Sequence, residues 1–354
     1  MSANPNGLVV KIQQARSMIE LAIRAGLVPM LHGSPAIGKS SIIKAIAKAY
    51  NLKLIDLRLS QCDPTDLMGF PKIDPVTNRA GYVPMDTFPL RGDELPFHED
   101  GSGKRYDGWL LFLDEMGSAN KAVQAASYKV VLDRMVGNFH LHDSVAICAA
   151  GNLDTDNAIT EEMSTALQSR LVHLHLVLDV KQWLDWAFAE GIDHRITSYI
   201  QYKPDALFTF KPDHTDRTYA APRTWEFMDR LIKTDGGLIK KDQMPLYAGT
   251  ISQGVASEFV IFTDVYASLL TVPQIIARPD TINVPDEPSI LYALTGTISS
   301  HMNEQNAEAL LVFLKRMPVE FQIVGLKEVV RRNKPALQYP AVQKWVATSA
   351  IELF

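Results

Sequence analysis

The chain has 354 residues, 47% of them hydrophobic and 21% charged, and a formal net charge of -5. That length allows two domains with substantial cores, and the composition lies far from that of a disordered chain. The acidity sets the molecule as a whole against nucleic acid as a partner, although a local basic patch remains open.

In chain order, Met1 to Val10 carries no basic-then-apolar signal, so no export is expected and the cytoplasm is the expected home. A strand is predicted over Leu27 to Leu31, then a helix with Ile42, Ile46 and Ala49 on one stripe, then a strand over Leu52 to Leu59. This is a βαβ unit. Asp63, Pro64 and Asp66 fit an N-cap, a first-turn proline and an acidic first-turn residue, so a short helix begins there and stops at Gly69 and Pro71. The stretch to Asp107, with Pro71, Pro75, Pro84, Pro89 and Pro96, reads as an extended insertion, of a kind usually functional or mobile. Further strands are predicted at Trp109 to Leu113, Val145 to Ala150 and Leu171 to Leu178. Helices dominate afterwards, starting with Asp179 as a cap and Gln182 to Glu190 as the first of them. The apolar stretch around Phe259 to Ala277 is interrupted by Asp264 and Pro273, so no membrane span is expected. The two cysteines, Cys62 and Cys148, make neither a disulfide framework nor a four-thiolate zinc site within one chain.

The run Gly33, Ser34, Pro35, Ala36, Ile37, Gly38, Lys39, Ser40 matches G-x-x-x-x-G-K-[ST] without a break, after a predicted strand and before a predicted helix. Its glycines let backbone N–H groups form a nest for a β-phosphate, the helix brings its positive end, and Lys39 adds a point charge. Ser40 is expected to offer its hydroxyl to Mg²⁺, and Ser41 completes the nucleotide-contacting run. The strand Leu110 to Leu113 ends in Asp114 and Glu115, two carboxylates at a strand's C-terminal edge. Asp114 is expected to hold the hydrated metal and Glu115 to polarise the attacking water. Asn120 and Lys121 are followed by Ala122 and Val123, not by the element that reads guanine, so ATP is the expected nucleotide.

These residues, with Ala149, Ala150, Gly151 and Asn152, resemble the AAA+ superfamily, and within it the MoxR-like ATPases of the helix-2-insert, dynein-related type. The runs Met163 to Arg170 and Ala221 to Glu226 extend the likeness, which spans residues 10 to 270. The resemblance implies an α/β fold: a three-layer P-loop NTPase domain with a five-stranded parallel sheet over residues 1–180 and a helical lid over 181–275; residues 276–354, expected as a C-terminal helical extension, lie beyond the likeness. It implies that Asn152 is the sensor-1 residue, Arg170 an arginine finger reaching a neighbour's nucleotide, and Arg223 a sensor-2 residue on the lid, with Arg134 and Arg217 as weaker suspects for the subunit boundary. It also implies a homo-oligomeric, hexameric ring, and a protein client that in this family often carries a von Willebrand factor A domain. Gln61 to Gly69 resembles the family's pore-facing elaboration, and Phe70, Tyr82 and Phe88 are candidates for client contact.

His140 with His142 and His173 with His175 share strand faces, but no acidic or thiol partner stands at ligand spacing and they read as structural. The basic residues Lys315, Arg316, Lys327, Arg331, Arg332 and Lys334 read as a solvated helix face. The leading reading is a chaperone-like ATPase. A nucleic-acid motor or loader is the alternative, and a slow nucleotide-dependent scaffold a third.

Overall fold

A computed structural model describes residues 9–76, 78–153, 156 and 163–353, without the side chains of 265–268 and 348–353. Of the N-terminal stretch read for an export signal, only Val9 and Val10 fall within it. The strands in chain order are β1 (Val9–Lys11), β2 (Val28–His32), β3 (Leu52–Arg58), the pair β4 (Phe70–Asp74) and β5 (Arg79–Val83), β6 (Gly108–Asp114), the short pair β7 (Met135–Val136) and β8 (Phe139–His140), β9 (Val145–Gly151) and β10 (Leu171–Val177).

Six of these form one parallel sheet in the order β1-β10-β2-β9-β6-β3. The five predicted strands are all present within a residue or so at each end. The sixth, β1, corrects the expected count: it has only three residues, too few for an alternation to register, and it extends the sheet by pairing with β10.

The sheet is covered on both sides, which explains why its central strands are apolar throughout. Leu110, Leu111, Phe112 and Leu113 of β6 are each 0% exposed. Side chains alternate along a strand, so Trp109, Leu111 and Leu113 join Val28, Met30, Val145, Ile147 and Ala149 on one face. There they pack with Leu67 of α3 (Pro64–Met68) and with Val123 and Ala126 of α4 (Lys121–Tyr128). The opposite face carries α1 (Ile12–Arg24), packed on β2, β9 and β10, and α2 (Lys39–Ala49), packed on β3, β6 and β9. Helix, sheet and helix make the three layers of an α/β P-loop fold. Cys148, at the centre of β9, is fully buried.

The insertion is more ordered than its prolines suggest. Asp63 stands at the N-cap of α3, its carbonyl accepting from the Asp66 N–H at 2.9 Å while its own N–H donates to Asp66 Oδ2 at 2.8 Å. Gly69 ends that helix at φ +88°, where a Cβ would stand 2.4 Å from the Val83 carbonyl oxygen. The chain then forms the antiparallel hairpin β4–β5 instead of an irregular loop. Proline is tolerated there because a two-stranded ribbon is all edge. Phe70 and Tyr82 are 53% and 42% exposed, but Phe88 is 3% exposed and belongs to the sheet core, which removes it from the candidates for client contact.

The chain divides into two compact units, residues 1–179 with 211–213 and residues 180–210 with 214–354. The second is helical: α5 (Thr165–Gln168) closes the first unit before β10, and then follow α6 (Val180–Ala189), α7 (His194–Tyr202), α8 (Pro222–Thr234), α9 (Met244–Ile251), α10 (Gln253–Ser268), α11 (Val272–Ala277), α12 (Pro288–His301), α13 (Ala307–Leu314), α14 (Val319–Arg332) and α15 (Pro340–Leu353). Trp225 and Phe259 pack with Tyr199, and a separate cluster runs from Ile275 to Trp345. Helix α12 lies close on α7, with Gly296 against Ser198 Oγ. Two of the basic residues read as solvated are used inside this unit: Arg331 pairs with Asp185 at 2.6 Å, and Arg332 donates to Thr197 Oγ1 at 2.6 Å and to the Ile192 carbonyl at 3.1 Å. Side chains this long bury their stems and still satisfy their heads, which sequence spacing alone does not show. Among the described residues no helix is long and apolar enough to cross a membrane.

Candidate functional site

The sheet order decides which residues meet. β9 lies between β2 and β6, so the C-terminal ends of these three strands bring the glycine-rich loop, Asn152 and the acidic pair side by side. The loop between β2 and α2 needs its glycines. Gly38 has φ +106°, and a Cβ on Gly33 would stand 2.5 Å from Ile37 Cδ1 and 3.2 Å from the Leu176 carbonyl oxygen. Ala36 also takes a left-handed φ of 63°, so the loop turns sharply at two points before its N–H groups feed into α2.

Lys39 is 8% exposed, a burial that an ammonium sustains only with partners. It donates to the Gly33 carbonyl at 2.6 Å, the Ser34 carbonyl at 3.0 Å and Asn152 Oδ1 at 3.0 Å. The loop lysine and the asparagine after β9 are thus in direct contact, 113 residues apart in sequence.

Asp114 shares the strand face of Leu110 and Phe112, the side on which α2 lies, and so meets the first turn of that helix. Ser40 Oγ donates to Asp114 Oδ2 at 3.1 Å, and the Glu115 N–H donates to Asp114 Oδ1 at 2.8 Å. Burial raises the Asp114 carboxyl above the ordinary aspartate range; these two hydrogen bonds offset part of that, while the charge of Asp56 adds to it. A hard divalent cation suits this set. It prefers oxygen ligands, needs only one or two from protein beside phosphate and water, and compensates a carboxylate whose charge burial disfavours.

Glu115 sits at φ +58°, a left-handed conformation that costs a residue with a Cβ about 1–3 kcal/mol. The turn directs its carboxylate away from Asp114 to Ser60, whose Oγ donates to Glu115 Oε2. Ser60 was missed by sequence reasoning. Its only signal is register: Arg58 of β3 lies opposite Asp114 of β6, so the residues just beyond the two strand ends meet. Asp156, 8% exposed, is a second missed residue, accepting from Ser34 Oγ at 3.3 Å. Burial raises its carboxyl also.

Lys39, Ser40, Asp114, Glu115 and Asn152 therefore form one connected set with Gly33, Ser34 and Gly38. Pro35, Ala36 and Ile37 complete the loop, and Ser41 is exposed on the first turn of α2. Arg170 is not part of the set. It follows α5, donates to the Ala166 carbonyl and lies with its guanidinium 5.7 Å from the centre of the Tyr128 ring. Its Nε is buried and has no hydrogen-bond partner among the described residues. Arg223 belongs to the second unit, exposed in the first turn of α8 with Glu226 as a charged neighbour. Arg134, in a left-handed turn, donates to the Val145 carbonyl at the other end of the sheet and is structural there.

No protein-family model and no curated protein matches the chain. Among solved structures, it is similar to a candidate ATPase from Cytophaga hutchinsonii, at 13% identity and a TM-score of 0.36, over 98% of this chain and 91% of that one. It is also similar to the RuvB Holliday junction branch migration motor of Thermotoga maritima, at 14% identity and a TM-score of 0.35, over 80% of this chain and 86% of that one. Likenesses this distant say nothing of activity, and the chemistry of the site stands on its own residues.

Proposed function

We propose that the chain is a magnesium-dependent ATPase of the AAA+ superfamily, of the MoxR-like kind, which assembles into a hexameric ring and remodels a protein client. The observation that carries the reading is the junction of three strand ends, where Lys39 touches Asn152 and Ser40 touches Asp114. The strand order, with β9 between the loop strand and the acidic strand, supports it.

ATP with Mg²⁺ would supply the reactive phosphoanhydride and a charge that screens the phosphates. Ser40 and Asp114 would hold the metal, and the loop Gly33 to Ser40, with Ser41, would cradle the phosphates. Lys39 would exchange its loop carbonyls for phosphate oxygen. Asn152, whose amide both donates and accepts, would orient the γ-phosphate and water. Glu115 would accept the proton of the attacking water once released from Ser60. Arg170 would act on a neighbouring subunit's nucleotide, and Arg223 would respond to nucleotide from the lid. The exposed hairpin β4–β5, with Phe70 and Tyr82, would meet the client, a von Willebrand factor A domain protein being the family's frequent choice.

The test is calorimetry and turnover on Glu115→Gln. The expected result is ATP binding in the presence of magnesium with affinity near that of the native chain, and hydrolysis lowered at least about 100-fold, the size of effect that loss of a general base produces. A native chain that binds no adenine nucleotide at millimolar concentration refutes the reading.

A further inference from the structure

Three imidazoles stack between β2 and β10. The His32 ring lies 5.0 Å from that of His173 and 4.9 Å from that of His175, nearly parallel to both. His175 ↔ His32 is a register pair, and His173 lies two residues back on the same face of β10. His32 is the last residue of β2, directly before Gly33. His173 Nε2 lies 2.8 Å from the carbonyl oxygen of Gln168, the last residue of α5 and two residues before Arg170. His32 Nε2 lies 2.8 Å from His173 Nδ1.

The direction of this chain follows from its end. A carbonyl oxygen only accepts, so His173 carries its proton on Nε2. In the tautomer with its proton on Nε2, His173 presents Nδ1 as an acceptor, and His32 donates to it from Nε2. Burial and the neighbouring His175, His173 and Lys39 lower the His32 pKa to about 4, so this ring is neutral at physiological pH. The tautomers of both rings are thereby set by one carbonyl.

That carbonyl matters because of what it anchors. Arg170 follows α5 within two residues; its guanidinium donates back to the Ala166 carbonyl within the same short helix, with Nε buried and unsatisfied among the described residues. The backbone of α5 closes one turn, with Gln168 N–H donating to the Ser164 carbonyl at 3.0 Å, Ser169 N–H to Thr165 at 3.1 Å and Arg170 N–H to Leu167 at 3.0 Å, and the Gln168 carbonyl lies beyond these bonds. Its C-terminal carbonyl is held instead by His173, from the strand beside β2.

We propose that His173 and His32 are positioning residues: they fix the end of α5, and with it Arg170, to the strand that enters the phosphate loop. The inference rests on Arg170 acting on a neighbouring subunit's nucleotide. It adds a physical link between a subunit's own loop and the arginine it presents, so that occupancy of one site is felt in the placement of the other.

The test is a double-mutant cycle on the full-length assembled chain, reading kcat for ATP and the affinity for ATP with magnesium separately. H173F keeps the ring volume and removes the hydrogen bond. It is expected to lower kcat about tenfold with affinity within about twofold, and to cause no further loss in the R170A background, as coupled positions do. H173Q, which retains an N–H donor near the Nε2 position, is expected to recover most of kcat. H32F is expected to lower kcat about threefold by the same route, and serves for the cycle if H173F does not fold. The relay is overturned if either phenylalanine variant lowers kcat by the same factor with and without Arg170, or if folded H173Q is no better than H173F. An R170A variant with native turnover would sink both the relay and the role given to Arg170. A native chain that binds no ATP would instead mark the failure of the nucleotide site itself.

Discussion

Lys39 illustrates how much one side chain organises. Its ammonium joins the loop carbonyls of Gly33 and Ser34 to Asn152, so the charge that would face a phosphate is already oriented by the residue after β9. Asn152→Ala removes one of those acceptors and is expected to lower kcat more than it weakens ATP binding; equal effects on both would argue for a purely structural asparagine. Ser60 acts in the opposite sense, since its hydroxyl holds the carboxylate proposed to accept a proton. One such hydrogen bond is worth about 1 kcal/mol net, so Ser60→Ala is expected to raise basal turnover by about fivefold at most, with affinity unchanged. A slower S60A enzyme would show that the serine aims Glu115 instead of restraining it. Gly33→Ala places a Cβ 2.5 Å from Ile37 Cδ1, a side-chain end that can turn away, and 3.2 Å from the Leu176 carbonyl oxygen, which must give by a few tenths of an ångström, and ATP binding is expected to weaken in calorimetry while the sheet persists.

At the scale of elements, the cap of α3 has a simple measure. Asp66→Ala removes the carboxylate that accepts from the Asp63 N–H and is expected to cost about 1 kcal/mol in denaturant unfolding, with its slope unchanged. The hairpin β4–β5 is exposed along nearly its whole length, so replacing residues 71–82 by a short Gly-Ser link is expected to leave basal ATP turnover near native and to abolish any stimulation by the client. Lost turnover would assign the hairpin to the nucleotide site. Such contrasts explain what was legible in the sequence. The five long strands were, because buried parallel strands are continuous apolar runs such as Leu110 to Leu113. The loop and Asp114 were, because their chemistry needs fixed residue types at fixed spacing. Strand β1 was not, having three residues, and the hairpin was hidden by prolines that an all-edge ribbon accommodates. Ser60, Asp156 and the contact of His173 with Gln168 depend on register between strands or on tertiary approach, and no local pattern encodes either.

For the molecule as a whole, two buried histidines contribute to the acid side of stability. Burial lowers the pKa of both His32, in the first unit, and His194, in the second, from 6.5 to about 4. Between those values these two residues bind more protons in the unfolded chain than in the folded one, so their contribution to stability rises with pH from about 4 to 6.5 and levels off above. H32F is expected to flatten part of that rise in urea titrations across the window; an unchanged slope would mean that His32 is not buried as described. Assembly adds a second dependence. If Arg170 serves a neighbour, turnover per subunit should climb with protein concentration and saturate, and R170A should abolish the climb. The thiols offer a further use. Cys148 is sealed inside β9, its thiol pushed up to about 12, whereas Cys62 is partly accessible and only two residues from Ser60. A maleimide dye on the folded protein would therefore settle, slowly, on one place, and its fluorescence would report whether the neighbouring glutamate is docked or released.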